Sequence, residues 1–343
     1  MPSPLLSILL VSYQSQPDLA RLFPTLLLPT SFNYEVLVVD NCPGDGTAQW
    51  IARHYPQVQV IPCPSNPGYA GGNNLGLGLA QGQWCLILNP DTELHRGALE
   101  ALVAVAQAHP TALITPKLLQ PDGSVNAVGL QMHYTGITSC RGLGQSPASY
   151  TGTVPTALVS GAAFIAPTEA LRKLGGFDPD YQLYHEEVDL SLRARLAGYE
   201  VLCAQDATIT HHYRLNLTPR KFGWLERNRL LTLLKVLENR TLGRMAPALV
   251  LTELATWAFA LLKGPAYLKA RIEGYRWLWQ NRAAIGAKHR AVQASRTIPD
   301  AAILGDTLTG LPFDQLVGSP KLARLLENLS TPLYRLAHPH RKN

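Results

Sequence analysis

Strand-like apolar runs alternate with stretches of helical composition over residues 1–115. The runs fall at 5–11, 34–39, 58–61 and 84–88, and the helical stretches at 17–28, 47–54 and 73–81. A run that is apolar along its length, rather than at every second position, suits a strand buried on both faces. The alternation therefore predicts a mostly parallel sheet flanked by helices. In such sheets ligands bind beyond the carboxyl ends of the strands, and Ser12, Asp40 and Asp91 all fall at those ends.

The pattern changes at residues 120–150, which are rich in Gly, Ser and Gln and predict a long loop or small hairpin lid. Order returns with a strand at 157–165 and a helix at 168–174 that stops at Gly175 and Gly176. A helix at 184–198 follows, with Val188, Leu192 and Leu196 along one face, and then a strand at 200–203. Residues 247–262 are helical and apolar nearly all round, interrupted by Glu253. From 291 onward the chain is punctuated by proline and weakly periodic, and no role follows for it. This divides the chain into an α/β domain at 1–235 (halves 1–115 and 116–235), an apolar and basic helical segment at 236–295, and a tail at 296–343.

With 46% apolar and 16% charged residues, the 343-residue chain can bury a sizeable core. Five cysteines, at 42, 63, 85, 140 and 203, form no CxxC pair. That argues against a zinc knot or disulfide framework and for reduced thiols in a cytoplasmic setting. The N-terminal apolar run lacks a basic n-region and a small-residue cleavage site, so it reads as a first strand. Net charge is +6, but residues 240–296 alone hold ten Lys/Arg against Glu253 and Glu273, a local +8. This asymmetry predicts a C-terminal region that meets an anionic surface.

The segment 66–76, NPGYAGGNNLG, precedes the 84–88 run, and Asn89-Pro90-Asp91-Thr92 closes that run. Glycines at 68, 71, 72 and 76 would let backbone N–H groups approach a phosphate or nucleotide ring, while Asn66, Asn73 and Asn74 add amides. A Mg²⁺ or Mn²⁺ bridging a pyrophosphate needs only one or two carboxylates, and Asp91 with Asn89 can supply that sparse shell. The same residues also suit an ordinary loop and a helix-capping turn. A second cluster, His185-Glu186-Glu187-Val188-Asp189, opens the 184–198 helix. Three carboxylates in a first turn suit the helix dipole, and Asp189 can pair with Arg193. Capping does not require both Glu186 and Glu187, so at least one is a candidate general base, its pKa raised by the neighbouring charge. His211 and His212 are either metal ligands or solvated loop histidines.

In order and spacing, the segments 7–12, 38–41, 66–76, 89–92, 161–164, 175–178 and 186–198 (EEVDLSLRARLAG) resemble family 2 glycosyltransferases, the bacterial rhamnosyltransferase-like group in particular. The likeness covers residues 5–235. It implies a GT-A-like nucleotide-diphospho-sugar transferase fold with a C-terminal helical extension. It also implies inverting transfer of a sugar, rhamnose by likeness, from a nucleotide-diphospho-sugar to a glycan or lipid-linked acceptor in cell-surface polysaccharide synthesis. By the same likeness Asp40 contacts the base or ribose, and Asn66, Gly68, Ala70 and Asn74 line the nucleotide pocket beside Ser12 and Asn89. Asp91 binds a divalent metal (Mg²⁺ or Mn²⁺), with His211 completing the site. The family usually has Glu-Asp where this chain has Glu186-Glu187, which puts Glu187 at the base position. It also departs from the usual Asp-x-Asp, because position 89 is Asn. The acceptor falls to Gly161, Phe177 and Asp178.

The apolar segment 247–262 is shorter than the ~20 residues that span a bilayer. Flanked by cations and followed by Tyr275, Trp277 and Trp279, it reads either as a peripheral contact with the inner face of the cell membrane or as a helix packed on the protein. Cations that accompany an apolar segment disfavour nucleic acid as a partner. A nucleotidyltransferase of related fold would show a Gly-x-Gly-Thr-Arg-Leu-type loop after the first strand, and an NAD-dependent oxidoreductase a Gly-x-Gly-x-x-Gly; residues 12–15, SYQS, show neither. A non-catalytic sugar-nucleotide-binding protein would keep Asp40 and 66–76 yet survive loss of Glu187.

Overall fold

The computed structural model describes residues 4–213, 216–316 and 319–339. They fall into two compact units, Met1–Leu130, Cys140–Ala194 and Tyr199–Arg214 forming the first, and Gln131–Ser139, Arg195–Gly198 and Leu215–Asn343 the second.

The first unit opens with β1 (Leu6–Ser12), α1 (Gln16–Leu26), β2 (Tyr34–Asp40), α2 (Thr47–His54), β3 (Gln59–Pro62), α3 (Gly68–Leu79) and β4 (Trp84–Leu88). β1 lies between β2 and β4, β3 lies outside β2, and all four are parallel. Every residue of β1 and β4 is buried, which is why both read as unbroken apolar runs. The register sets Ser12 beside Asp40, so these strand ends coincide at one edge.

Next come β5 (Thr92–Leu94), α4 (Ala98–Ala108), β6 (Ala112–Leu119), β7 (Val125–Ala127), β8 (Leu130–Met132), β9 (Thr138–Cys140), β10 (Thr153–Pro155), β11 (Ala163–Pro167), α5 (Thr168–Lys173), α6 (Glu186–Leu196) and β12 (Glu200–His211). The sheet order is β10-β12-β6-β11-β4-β1-β2-β3. β11 enters antiparallel between β4 and β6, β12 runs parallel to β6, and β5 and β10 pair antiparallel with β12. The stretch expected as a loop or small hairpin lid at 120–150 carries three short strands, β7 pairing with β6 and β8 with β9 as a small two-stranded sheet, each too brief to show a period. The strand expected at 157–165 begins only at Ala163, after the bridge from Ser160 to Ala163. β12 continues to His211 as one strand, its register broken between Ala204 and Thr208, so its far half reads in sequence as a turn.

The glycine-rich segment is a helix from Gly68, not a phosphate-cradling turn. A Cβ on Gly76 would sit 2.4 Å from Leu9 Cδ1, and one on Gly72 2.9 Å from Val11 Cγ1. One turn apart, these two glycines let α3 lie against β1, so their function is close packing rather than exposure of backbone N–H groups.

The second unit contains α7 (Pro219–Val236), α8 (Asn239–Lys263), α9 (Pro265–Gln280), α10 (Arg282–Ser295), α11 (Asp300–Leu304), α12 (Phe313–Leu316) and α13 (Pro320–Leu336). The tail without assignable periodicity is therefore largely helical. α8 has 25 residues and is long and apolar enough to cross a membrane by length and composition, so the length criterion applied to 247–262 does not hold. Glu253, the polar interruption, ties α8 into the unit. Its carboxylate accepts from Arg229 at 2.5 Å and from Arg271 and Tyr275, while the same two arginines hold buried Glu226.

Candidate active site

β4 ends at Leu88, and the next four residues turn back toward the sheet. Asn89 N donates to Ala162 O at 2.9 Å, and Thr92 Oγ1 donates to Asn89 O at 2.7 Å. β5 then pairs with the end of β12, with Thr92 opposite His211. This pairing brings His211 Nε2 to 3.4 Å from Asp91 Oδ1, while His212 N donates to Asp91 O and the His212 ring turns to Glu93 at 3.0 Å. Of the two histidines, His211 is thus the one that faces Asp91. It is supported from behind by Asn126 Oδ1, 3.4 Å from Nδ1, and by stacking on Tyr213. Burial pushes the Asp91 carboxyl up, but His211 and then His212 outweigh it and hold Asp91 below the usual carboxylate value.

Asp40 is fully buried at the end of β2. Its Oδ1 accepts from Cys42 N at 3.0 Å, and burial, with Asp45 adding to it, raises the carboxyl against that hydrogen bond. Among the described residues, Ser12 Oγ, Asp40 Oδ2, Asn41 Oδ1, Asn73 Oδ1, Asn89 Oδ1, Glu186 Oε2 and His211 Nε2 are all buried without a hydrogen-bond partner. An unmatched buried polar atom costs roughly 1–3 kcal/mol. Such atoms on Ser12, Asp40, Asn41 and Asn89 follow the carboxyl ends of β1, β2 and β4. Most of the set are acceptors, which suits a ligand rich in hydroxyl and N–H donors.

The loop before α6 carries the backbone strain. Gln182, Tyr184 and His185 all have left-handed φ, at 61°, 69° and 67°. Gly68, itself at φ 74°, meets this loop so closely that a Cβ there would stand 2.5 Å from Gln182 O, and Tyr69 N donates to that same oxygen at 2.8 Å. α6 then begins with Glu186, which is buried, and Glu187, which is half-buried. Burial, then the charge of Glu187, raises Glu186 well above the carboxylate range, and burial pushes Glu187 up to about 7 against two backbone hydrogen bonds. The Glu187 side chain lies along Gly161, where an added Cβ would be 3.5 Å from its carboxyl carbon.

Tyr69, which the sequence did not single out, joins these pieces. Its hydroxyl donates to Gly161 O at 2.6 Å, and its ring meets Phe177 edge-on at 5.9 Å. Burial first, and then Glu186, Glu187 and, more weakly, Asp91, push its phenol upward, only partly offset by Asn73. The two glutamates and Asp91 therefore share one neighbourhood.

The remaining expected site residues have structural partners. Asn66 is exposed and tightens its own turn, with Oδ1 accepting from Gly68 N at 3.3 Å. Ala70 is fully buried in the core. Asn74 uses both ends of its amide on the Phe177 backbone, at 2.7 and 2.8 Å, and so clamps the Gly175–Gly176 turn to α3. Phe177 is core, and Asp178 caps a short turn by accepting from Asp180 N. Asp189 pairs with Arg193 at 2.8 Å as the spacing predicts, and Arg193 also donates to Leu174 O and Gly176 O.

Residues 7–173 match the model of the family described as "Glycosyl transferase family 2". The chain is 30% identical over 236 residues to an N-acetylglucosaminyl-diphospho-decaprenol L-rhamnosyltransferase of Mycobacterium tuberculosis, a match covering 60% of this chain and 76% of that one. Among solved structures it resembles residues 1–349 of S. aureus TarS in complex with UDP-GlcNAc, with a TM-score of 0.57 at 16% identity, covering 97% of this chain and 90% of that chain. It also resembles GalNAc-T7 with UDP, GalNAc and Mn²⁺, with a TM-score of 0.56 at 17% identity, covering 67% of this chain and 48% of that chain. Both likenesses are of fold, and the fold is GT-A-like.

Proposed function

Because this chain belongs to glycosyl transferase family 2 and is a glycosyltransferase, we propose that it transfers a sugar, with inversion, from a nucleoside-diphospho-sugar to a lipid-linked glycan acceptor. The observation that carries this reading is the set of unmatched buried acceptors along one sheet edge, in the same first unit as a base poised near neutrality. In this reading Asp40 and Ser12 receive the nucleoside, with Asn41, Asn73 and Asn89 offering acceptors to hydroxyls and N–H groups. The rhamnosyltransferase relative acts on a diphospho-decaprenol-linked sugar, which supports a lipid-linked acceptor and a rhamnose-class donor.

Among the described residues no three metal-ligating side chains gather. Asp91 and His211 nevertheless fit a divalent cation: buried His211 Nε2 makes no hydrogen bond and lies 3.4 Å from Asp91 Oδ1, and a diphosphate needs only such a sparse protein shell. A bound Mg²⁺ or Mn²⁺ would offset charge on the diphosphate. Glu187 takes the proton of the acceptor hydroxyl while that oxygen forms a bond to the anomeric carbon. The bond from that carbon to the diphosphate breaks on the opposite face, releasing the nucleoside diphosphate. Burial and the charge of Glu187 raise Glu186 beside it, and Glu187, which lies along Gly161, is taken as the base. Gly161 beside Glu187 leaves room for the acceptor, and Tyr69 fixes that strand end.

Membrane contact belongs to this reading through α8. Only 22% of its most apolar window is buried, and its exposed Val250, Leu254 and Leu261 lie opposite the inward Thr241, Met245, Ala248 and Thr252. The ion pairs of Glu253 favour a helix lying along the cytoplasmic leaflet over one crossing it. The test is to supply nucleoside-diphospho-sugars with an N-acetylglucosaminyl-diphospho-polyprenol and to follow product configuration by NMR. Inverted product with one donor is expected; retention of configuration would exclude single displacement.

A further inference from the structure

Five leucines of α13, Leu322, Leu325, Leu329, Leu333 and Leu336, are between 45% and 68% exposed although the helix is docked. Their spacing of three and four residues places them on one stripe, turned roughly 130° from the face that Ala323 and Tyr334 bury. Tyr334 fixes that rotation. Its hydroxyl lies 3.0 Å from Thr252 Oγ1 on α8, and its carbonyl accepts from the Tyr134 hydroxyl at 2.6 Å. The polar face beyond the stripe, on the side away from the docked face, carries Lys321 nearest the leucines and Arg335 and Arg324 farther round, all exposed, while Glu327 is the only acid of the helix.

A leucine stripe on one face with Lys and Arg on the polar face complements a bilayer with anionic headgroups, which takes the leucines at its acyl boundary and attracts the cations above it. A second copy of the chain would instead bring like charges together. We propose that α13 is an in-plane anchor that holds this transferase on anionic lipid. This deepens the membrane reading above but rests on residues separate from those of α8.

The test is co-sedimentation of the full-length protein with vesicles of phosphatidylcholine alone or mixed with phosphatidylglycerol. Leu325→Ser/Leu329→Ser/Leu333→Ser should weaken binding to the mixed vesicles about a hundredfold, roughly fivefold per leucine. Because these side chains are exposed, its melting temperature and helicity should stay those of the wild type. Lys321→Gln/Arg324→Gln/Arg335→Gln should abolish the preference for phosphatidylglycerol. Unchanged binding of the leucine variant would overturn the proposal. So would a wild-type dimer that the leucine variant converts to monomer without loss of vesicle binding. A parallel variant, Val250→Ser/Leu254→Ser/Leu261→Ser, reports on α8 alone, so failure at one helix is distinguishable from failure at the other.

Discussion

Glu187→Gln removes the proposed proton acceptor while keeping side-chain length and the contact with Gly161. Burial raises Glu187 to about 7 and raises Glu186 beside it well above the usual carboxylate range, so near neutrality Glu187 divides between acid and base. Only the ionised form can take a hydroxyl proton. The wild-type kcat/KM should therefore rise about tenfold per pH unit below 7 and level off above it. The amide variant should lose about 10²–10⁴ in kcat, keep its KM for donor and lose the acidic limb. Stability moves in the opposite sense. Both folded values lie above the usual glutamate value, so the stability these groups contribute is present below that value and is lost as pH rises through the folded values. Glu187→Gln should thus melt above the wild type at pH 8, with the difference shrinking toward pH 4. The assay is initial-rate nucleoside diphosphate release over a range of substrate concentrations from pH 5.5 to 9, with melting curves on the same samples. An acidic limb retained in the variant, or a lower melting temperature at pH 8, would refute the reasoning.

Two glycines of α3 should respond oppositely to alanine. Gly76→Ala drives a methyl into buried Leu9 and should cost about 1–3 kcal/mol, whereas Gly78→Ala meets nothing within 4 Å and should gain about 0.5–1 kcal/mol, both read from urea denaturation. Tyr69→Phe leaves the Gly161 carbonyl without its 2.6 Å partner; it should cost about 1–3 kcal/mol and lower kcat more than donor affinity, as steady-state kinetics beside thermal melts would reveal. Asn74→Ala frees both Phe177 backbone groups and should destabilise the protein by a similar ~1–3 kcal/mol, while nucleoside diphosphate affinity by calorimetry stays near the wild-type value.

The parallel half of the sheet was legible because strands buried on both faces leave continuous apolar runs, and β1, β2 and β4 do so. The antiparallel insertion of β11 was not, since a run of four buried residues carries no sign of the direction in which it pairs. Asp91 and His211 are 120 positions apart, and what unites them is the register of β5 on β12, which no local pattern reports. The glycines of 66–76 misled for a related reason: a glycine needed for close packing and one needed for phosphate contact look alike in sequence. Tyr69 was missed because its value lies in a hydrogen bond across 92 positions. The Asp189–Arg193 pair was read correctly because a spacing of four on a helix is itself a distance. In the second unit the apolar character of α8 was plain, but its length was not, because Asn239, Arg240, Thr241, Gly243 and Arg244 break the apolar run in the turns that extend it.

The measurement that tests the central claim most directly is a thermal-shift titration of UDP, dTDP and GDP, with and without Mn²⁺, on the wild type and Asp91→Ala. A ligand raises the melting temperature only by binding the folded state. A shift with one nucleoside diphosphate that requires Mn²⁺ and disappears in Asp91→Ala is the predicted result. No shift with any of the three, or an equal shift in the variant, would contradict the assignment of this sheet edge as the donor site.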